Sequence, residues 1–189
     1  MTKKSDSKLK YQVVLDEFLK EREWTDEYES DLEEKTISLT SGITICDSHS
    51  GRLIIEASDR TDIVDVYIYY NQTCKESKLD EMAILFNGIH QRWALGRFMV
   101  LGDGYMRWSH RVDFEGSQPT GLSLERMVQS GWNAAERFAD VIAAVALTKQ
   151  SAADALKEFD EEQEEIANSG QSSDGGAPTE LEFAKSPPV

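Results

Sequence analysis

Apolar residues along the chain recur first at helical spacing. Over residues 9–23, Tyr11, Val14, Leu15, Phe18 and Leu19 fall at i, i+3, i+4, i+7 and i+8. That single stripe predicts an amphipathic helix, with Lys10, Glu17, Lys20 and Glu21 on its wet side. The acidic stretch Asp26-Glu27-Tyr28-Glu29-Ser30-Asp31 has no period and reads as an exposed connection. The period then falls to two. Ile37, Leu39, Ile43 and Ile45 alternate around a predicted bend or bulge at Ser41-Gly42, and His49-Ser50-Gly51 reads as a turn. Leu53, Ile55 and Ala57 alternate next, and over residues 65–72 Val66, Ile68 and Tyr70 take one face while Asp65, Tyr67 and Tyr69 take the other. Three such runs predict an antiparallel meander with one covered face. Helical spacing returns over residues 78–93, with Leu79, Met82, Ala83, Phe86, Ile89 and Trp93 on one side.

The next hairpin is specified down to its register. Residues 96–101 and 105–114 flank Gly102-Asp103-Gly104. A two-residue loop would set Val100 opposite Arg107 and mix the faces. A three-residue loop pairs Val100 with Met106 and Phe98 with Trp108, on the face shared by Val112 and Phe114, with Gly104 in the left-handed position such a loop needs. Arg97, Met99, Leu101, Tyr105, Arg107, Ser109 and Arg111 then share the opposite face. A long helix is expected from an N-cap at Ser123, with Leu122 stapled onto Met127. Its stripe runs through Leu124, Val128, Trp132, Ala135, Phe138, Ala139, Ile142 and Val145, and Gly131 with Ala135 would allow close approach to a sheet. Beyond Leu147 large apolar residues thin out. Ser151 with Asp154 forms a capping-box pattern, and Ala152, Leu156, Phe159 and Ile166 make a thin stripe that reads as a solvated, fraying extension.

These elements predict an α+β fold: an antiparallel sheet of about five strands, in chain order α-β-β-β-α-β-β-α, with helices packed on one face. The domain is expected over residues 9–147, after a flexible N-terminus at 1–8. An acidic helical extension (148–167) and a Ser/Gly/Pro-rich disordered tail (168–189) are expected to follow.

Charge narrows the partners. The 35 acidic and 20 basic residues among 189 give a net charge of −15. Such a surface repels phosphate backbones and anionic membrane, so neither nucleic acid nor membrane is an expected partner, whereas protein is. Met1-Thr2-Lys3-Lys4-Ser5 leads into no apolar run and no stretch suits a membrane span, so a cytoplasmic protein is expected. There, Cys46 and Cys74 would remain reduced thiols.

One family shares this layout. Phe86-Asn87 on the middle helix, Gly96-Arg97-Phe98, the Asp103-Gly104 hairpin with its amphipathic strand, and the Ser123-Leu124 helix start together resemble the YbjN-like family, labelled bacterial sensory transduction regulators. His90 and Gln91 stand where that family's pattern carries a second asparagine. Over residues 9–147 the resemblance implies the fold of the type III secretion chaperones. It also implies frequent dimerisation and a protein-binding or regulatory role with no cofactor.

Candidate chemistry is sparse. His49, His90 and His110 belong to no HxH or HExxH pattern, so no metal site is expected. His110 is expected on the apolar face beside Trp108, as structure rather than as a base. Cys46 and His49 are neighbours across a turn, with nothing in the sequence to orient them as a nucleophile and base. Gly102-Asp103-Gly104 lacks the lysine and the following helix of a phosphate loop. No catalytic residue is expected. The candidate partner-binding set is Arg97, Met99, Leu101, Tyr105, Arg107 and Arg111, a mixture enriched at interfaces, set against neutralisation of the arginines by nearby acids. Three readings follow: a chaperone-like or regulatory binding module acting as a homodimer; an adaptor whose acidic tail is the effector; or, least favoured, an enzyme of unrecognised type.

Overall fold

The computed structural model describes residues 8–170. The chain runs α1 (Lys10–Glu21), β1 (Tyr28–Asp31), β2 (Thr36–Cys46), β3 (His49–Ser58) and β4 (Ile63–Thr73). A 3-10 turn (Glu76–Lys78) leads into α2 (Leu79–His90), followed by β5 (Arg97–Val100), β6 (Tyr105–Asp113), α3 (Gly121–Leu147) and α4 (Ala152–Gly170). The fold is α+β. One open sheet carries the strands in the order β1-β2-β3-β4-β6-β5, every neighbouring pair antiparallel. The sheet has six strands where about five were expected. The extra one is β1, inside the acidic stretch read as a connection; its Tyr28 pairs with Leu39, and its phenol donates to Asp16 of α1 at 2.8 Å. A strand this short and charged shows no period of its own.

All five residues of the α1 stripe are buried. Asp59, in the β3–β4 turn, caps α1 from outside by accepting the backbone N–H groups of Lys10 and Tyr11. β2 is continuous through Ser41-Gly42, and Ser41 simply takes an inward position; the irregularity lies between Thr44 and Cys46 instead. His49 likewise belongs to β3, leaving Asp47-Ser48 as the turn. On α2 the buried side chains are Met82, Leu85, Phe86 and Ile89, while Ala83 faces solvent. The hairpin keeps the expected register: Phe98 pairs with Trp108 and Val100 with Met106, and Gly104 has φ +85°.

The long helix starts earlier than expected. Thr120 is the N-cap of α3, its Oγ1 accepting the Ser123 N–H at 3.2 Å, and Leu122 is exposed. α3 lies across the inner face of β2, β4 and β6. Gly131 sits on the Trp108 ring, so closely that a Cβ there would come within 2.4 Å of it, and the Tyr70 hydroxyl donates to the Ala135 carbonyl at 2.8 Å.

The segment after Leu147 is part of the core. Ser151 and Asp154 form the capping pair, with the Asp154 N–H donating to Ser151 Oγ at 3.1 Å, and Glu81 of α2 accepts the Ala152 N–H. Ala152, Ala155, Leu156 and Phe159 are buried between α2 and α3; of the predicted stripe only Ile166 is left exposed. Counting large side chains concealed this, because small alanines complete the packed face. α4 also runs to Gly170, past the predicted start of the tail at 168. The expectations for residues 1–7 and 171–189 lie outside the described residues; of the acidic-tail effector, expected over 151–189, only the part to Gly170 is described, and it packs into the core through α4. Phe159 is 6% exposed, against Phe138 at a ring separation of 5.0 Å. Phe159→Ala is therefore expected to cost about 3 kcal/mol of unfolding free energy in urea denaturation, by cavity formation; a solvated extension would show no change.

Candidate functional site

With α1 to α4 stacked on one side, the other face of the sheet is open among the described residues. Strand register sets its side chains in rows. One row runs Gly42, Arg52, Tyr69, Arg107, Met99; the next, Thr40, Ile54, Tyr67, Ser109, Arg97. Below them lie Glu29, Ser38, Glu56, Asp65, Arg111, and then Asp31, Thr36, Ser58, Ile63, Asp113. The first two rows are basic and aromatic. The last two are acidic.

Arg107 is the centre of the aromatic rows. Its guanidinium lies 4.6 Å from the Tyr67 ring centroid and 5.4 Å from that of Tyr69, donates to the Tyr69 hydroxyl, and sets its Nε 3.3 Å from the Met99 sulfur. Arg52 faces the other side of Tyr69 at 5.8 Å. Stacking of this kind orients an arginine while leaving its charge uncompensated. Among the described residues Arg52, Arg97 and Arg107 make no ion pair. Arg111 differs. It is held by Asp65 through two parallel hydrogen bonds of 2.7 and 2.8 Å, and that carboxylate raises its pKa above the ordinary arginine value.

The six candidate residues thus share one face, as the hairpin pattern required, but they are not equivalent. Met99 and Arg107 touch, and Arg97 lies across from Ser109. Leu101 and Tyr105 sit at the hairpin end, where Tyr105 is 38% exposed. Arg111 is neutralised locally. Sequence reasoning left out Arg52, Ile54, Tyr67 and Tyr69. The alternation of β4 had already turned both tyrosines away from the core; their place beside Arg107 depends on β4 pairing with β6, which no local pattern reveals.

The remaining candidates are engaged elsewhere. His49 is buried, with Nε2 2.9 Å from Asp140 of α3 and Nδ1 3.1 Å from the Gln72 amide, so neither ring nitrogen is left to serve the Cys46 thiol. His110 lies on the inner face beside Trp108, ring centroids 5.7 Å apart, whereas the buried carboxylate of Asp65 is on the outer face. Cys46 and Cys74 are free thiols, and burial pushes the Cys74 pKa up. Among the described residues no three His, Cys, Asp or Glu side chains converge as metal ligands, and no helix is long and apolar enough to cross a membrane. The apolar gap under α1, beside Tyr11 and Leu124, measures about 10 Å³, room for roughly one water. A wider groove of about 590 Å³ between α2 and α4 is open to solvent, with Ile84 and Leu156 beside the Arg92–Asp160 ion pair. No protein-family model, curated protein or solved structure matches the chain.

Two histidines couple the edge hairpin to pH. His90 Nε2 accepts the Phe98 N–H at 2.8 Å, which requires that nitrogen to be unprotonated, and this covers part of the free edge of β5. Burial, and then the Arg97 guanidinium, hold His90 below the ordinary imidazole value of 6.5; burial does the same to His110. The unfolded chain therefore binds these protons more readily than the folded one. Stability is complete above pH 6.5 and falls as pH drops from there toward the folded-state values. Urea midpoints followed downward from neutral pH are expected to decline below 6.5, before the carboxylates titrate, and His110→Phe is expected to flatten part of that decline.

Proposed function

We propose that the chain is a non-enzymatic protein-binding module, chaperone-like or regulatory as the YbjN-like resemblance implies, acting as a homodimer. The open sheet face is its contact surface. One observation supports this above the others: an acidic chain presents Arg52, Arg97 and Arg107, without an ion pair among the described residues, beside half-buried Tyr67, Tyr69, Ile54 and Met99. Tyrosine, methionine and arginine are the side chains enriched at the centres of protein interfaces. A rigid sheet offers them with little ordering cost on binding.

The double variant Arg107→Ser/Tyr105→Ser tests the reading. Affinity capture from native lysate is expected to lose the partner, while the unfolding free energy changes by less than about 1 kcal/mol, as for surface substitutions generally. Capture unchanged by the double variant would overturn it.

A further inference from the structure

We infer that the occupant of the open face is a second copy of this chain, stacked sheet on sheet about a two-fold axis that runs across the strands. This rests on the reading of that face as the contact surface. The argument begins with polarity along the strands. At one end of the face stand Arg52 and Arg107, with Arg97 in the adjoining row; at the other stand Glu56, Asp113, Glu29 and Asp31. In a closed two-fold interface each patch meets its own image. A face of uniform charge would repel that image, but this one carries opposite charge at its two ends. An axis between the Glu56/Asp65 row and the Ile54/Tyr67 row brings the basic end of each copy over the acidic end of the other. Arg107 then stands over the second copy's Asp113, and Arg52, over its Ser58, lies one row from its Glu56. The same operation sets the half-buried Ile54 and Tyr67 next to the axis and Tyr69 over the second copy's Ile63, so these side chains are enclosed.

The size of the face agrees. Six strands at the usual spacing span about 24 Å, and strands of 9 to 11 residues such as β2, β3, β4 and β6 run about 33 Å, so the face covers roughly 800 Å². A standard interface takes about 800 Å² from each partner. Sheets stack face to face about 10 Å apart, a gap that an arginine and a glutamate bridge from opposite sides. Arg111 and Asp65 satisfy one another within the chain and need no partner across it.

Light scattering of the full-length chain over a dilution series, with paired charge reversals, tests the geometry. The wild type is expected to scatter as twice the chain mass. Arg52→Glu/Arg107→Glu is expected to halve that mass, because acid then meets acid on both sides of the axis, and Glu56→Arg/Asp113→Arg is expected to do the same. Mixing the two variants is expected to restore the doubled mass as a heterodimer, and so is combining all four reversals in one chain. Circular dichroism and thermal unfolding of each variant separate lost pairing from lost folding, and mixing rescues only folded chains. A monomeric wild type overturns the inference, and so do a dimer indifferent to the reversals and a reversal without rescue. If partner capture is nevertheless lost in Arg107→Ser/Tyr105→Ser, the open face remains a contact surface, and its occupant is a different protein or the chain's own 171–189 segment. If dimerisation follows the charges but capture is unaffected, the inference stands and the wider functional reading fails.

Discussion

Trp108 fills the space between β6 and α3, and the absence of a side chain at Gly131 lets the helix settle directly on its ring. The other residues of α3 that face the sheet are mostly small: Ala134, Ala135 and Ala139 are buried beside Val128. A helix of 27 residues can therefore lie flat across three strands, with Tyr70 hydrogen-bonded to its backbone at Ala135. Larger residues at these points would lift α3 away and leave the inner positions of β2, β4 and β6 in contact with water. The rest of the molecule is arranged around this contact.

Once α3 is seated, its upper side gathers the remaining helices. Phe138 is the junction: Phe98 of β5 packs against it edge-on, Trp93 from the end of α2 does likewise, and Phe159 of α4 lies at 5.0 Å. Phe86 stacks on Phe98 in turn. Strands and helices distant in sequence thus share one aromatic cluster, with offset and edge-on geometries that add to area burial. Polar ties secure the periphery: Arg22 of α1 pairs with Glu125 of α3, Arg92 with Asp160 of α4, and Asp59 caps α1. Each joins an element to its neighbour in space rather than in sequence.

Placing every helix on one side has a consequence for the other. The outer face must be acceptable to water or to a partner, and its composition is divided accordingly. β2 presents Thr36, Ser38, Thr40 and Thr44, which suit water; β3, β4 and β6 present Ile54, Tyr67, Tyr69 and stacked arginines, which suit contact. The free edges are managed separately. β1 is short and acidic, and His90 takes up a backbone donor of β5. Pairing through the edges is thereby disfavoured.

By itself the sequence determined whatever rests on periodicity within one element. The α1 stripe, the alternation of β4, the register of the hairpin with Gly104 at positive φ, and the capping of α4 by Ser151 and Asp154 follow from local sterics and from the need to keep one face dry. Tertiary structure alone decided the features that depend on a neighbour distant in the chain. β1 is a strand only because β2 offers it an edge, the first N–H of α3, at Gly121, is taken up by Glu17 of α1, and α4 is buried because α2 and α3 leave a gap that alanines fit. Half of the candidate surface was legible, since the hairpin pattern placed Arg97, Met99 and Arg107 together. The other half, Arg52 and the two tyrosines, joined it through the pairing of β3 with β4 and of β4 with β6, and strand order is a property of the whole sheet, which no window of sequence contains.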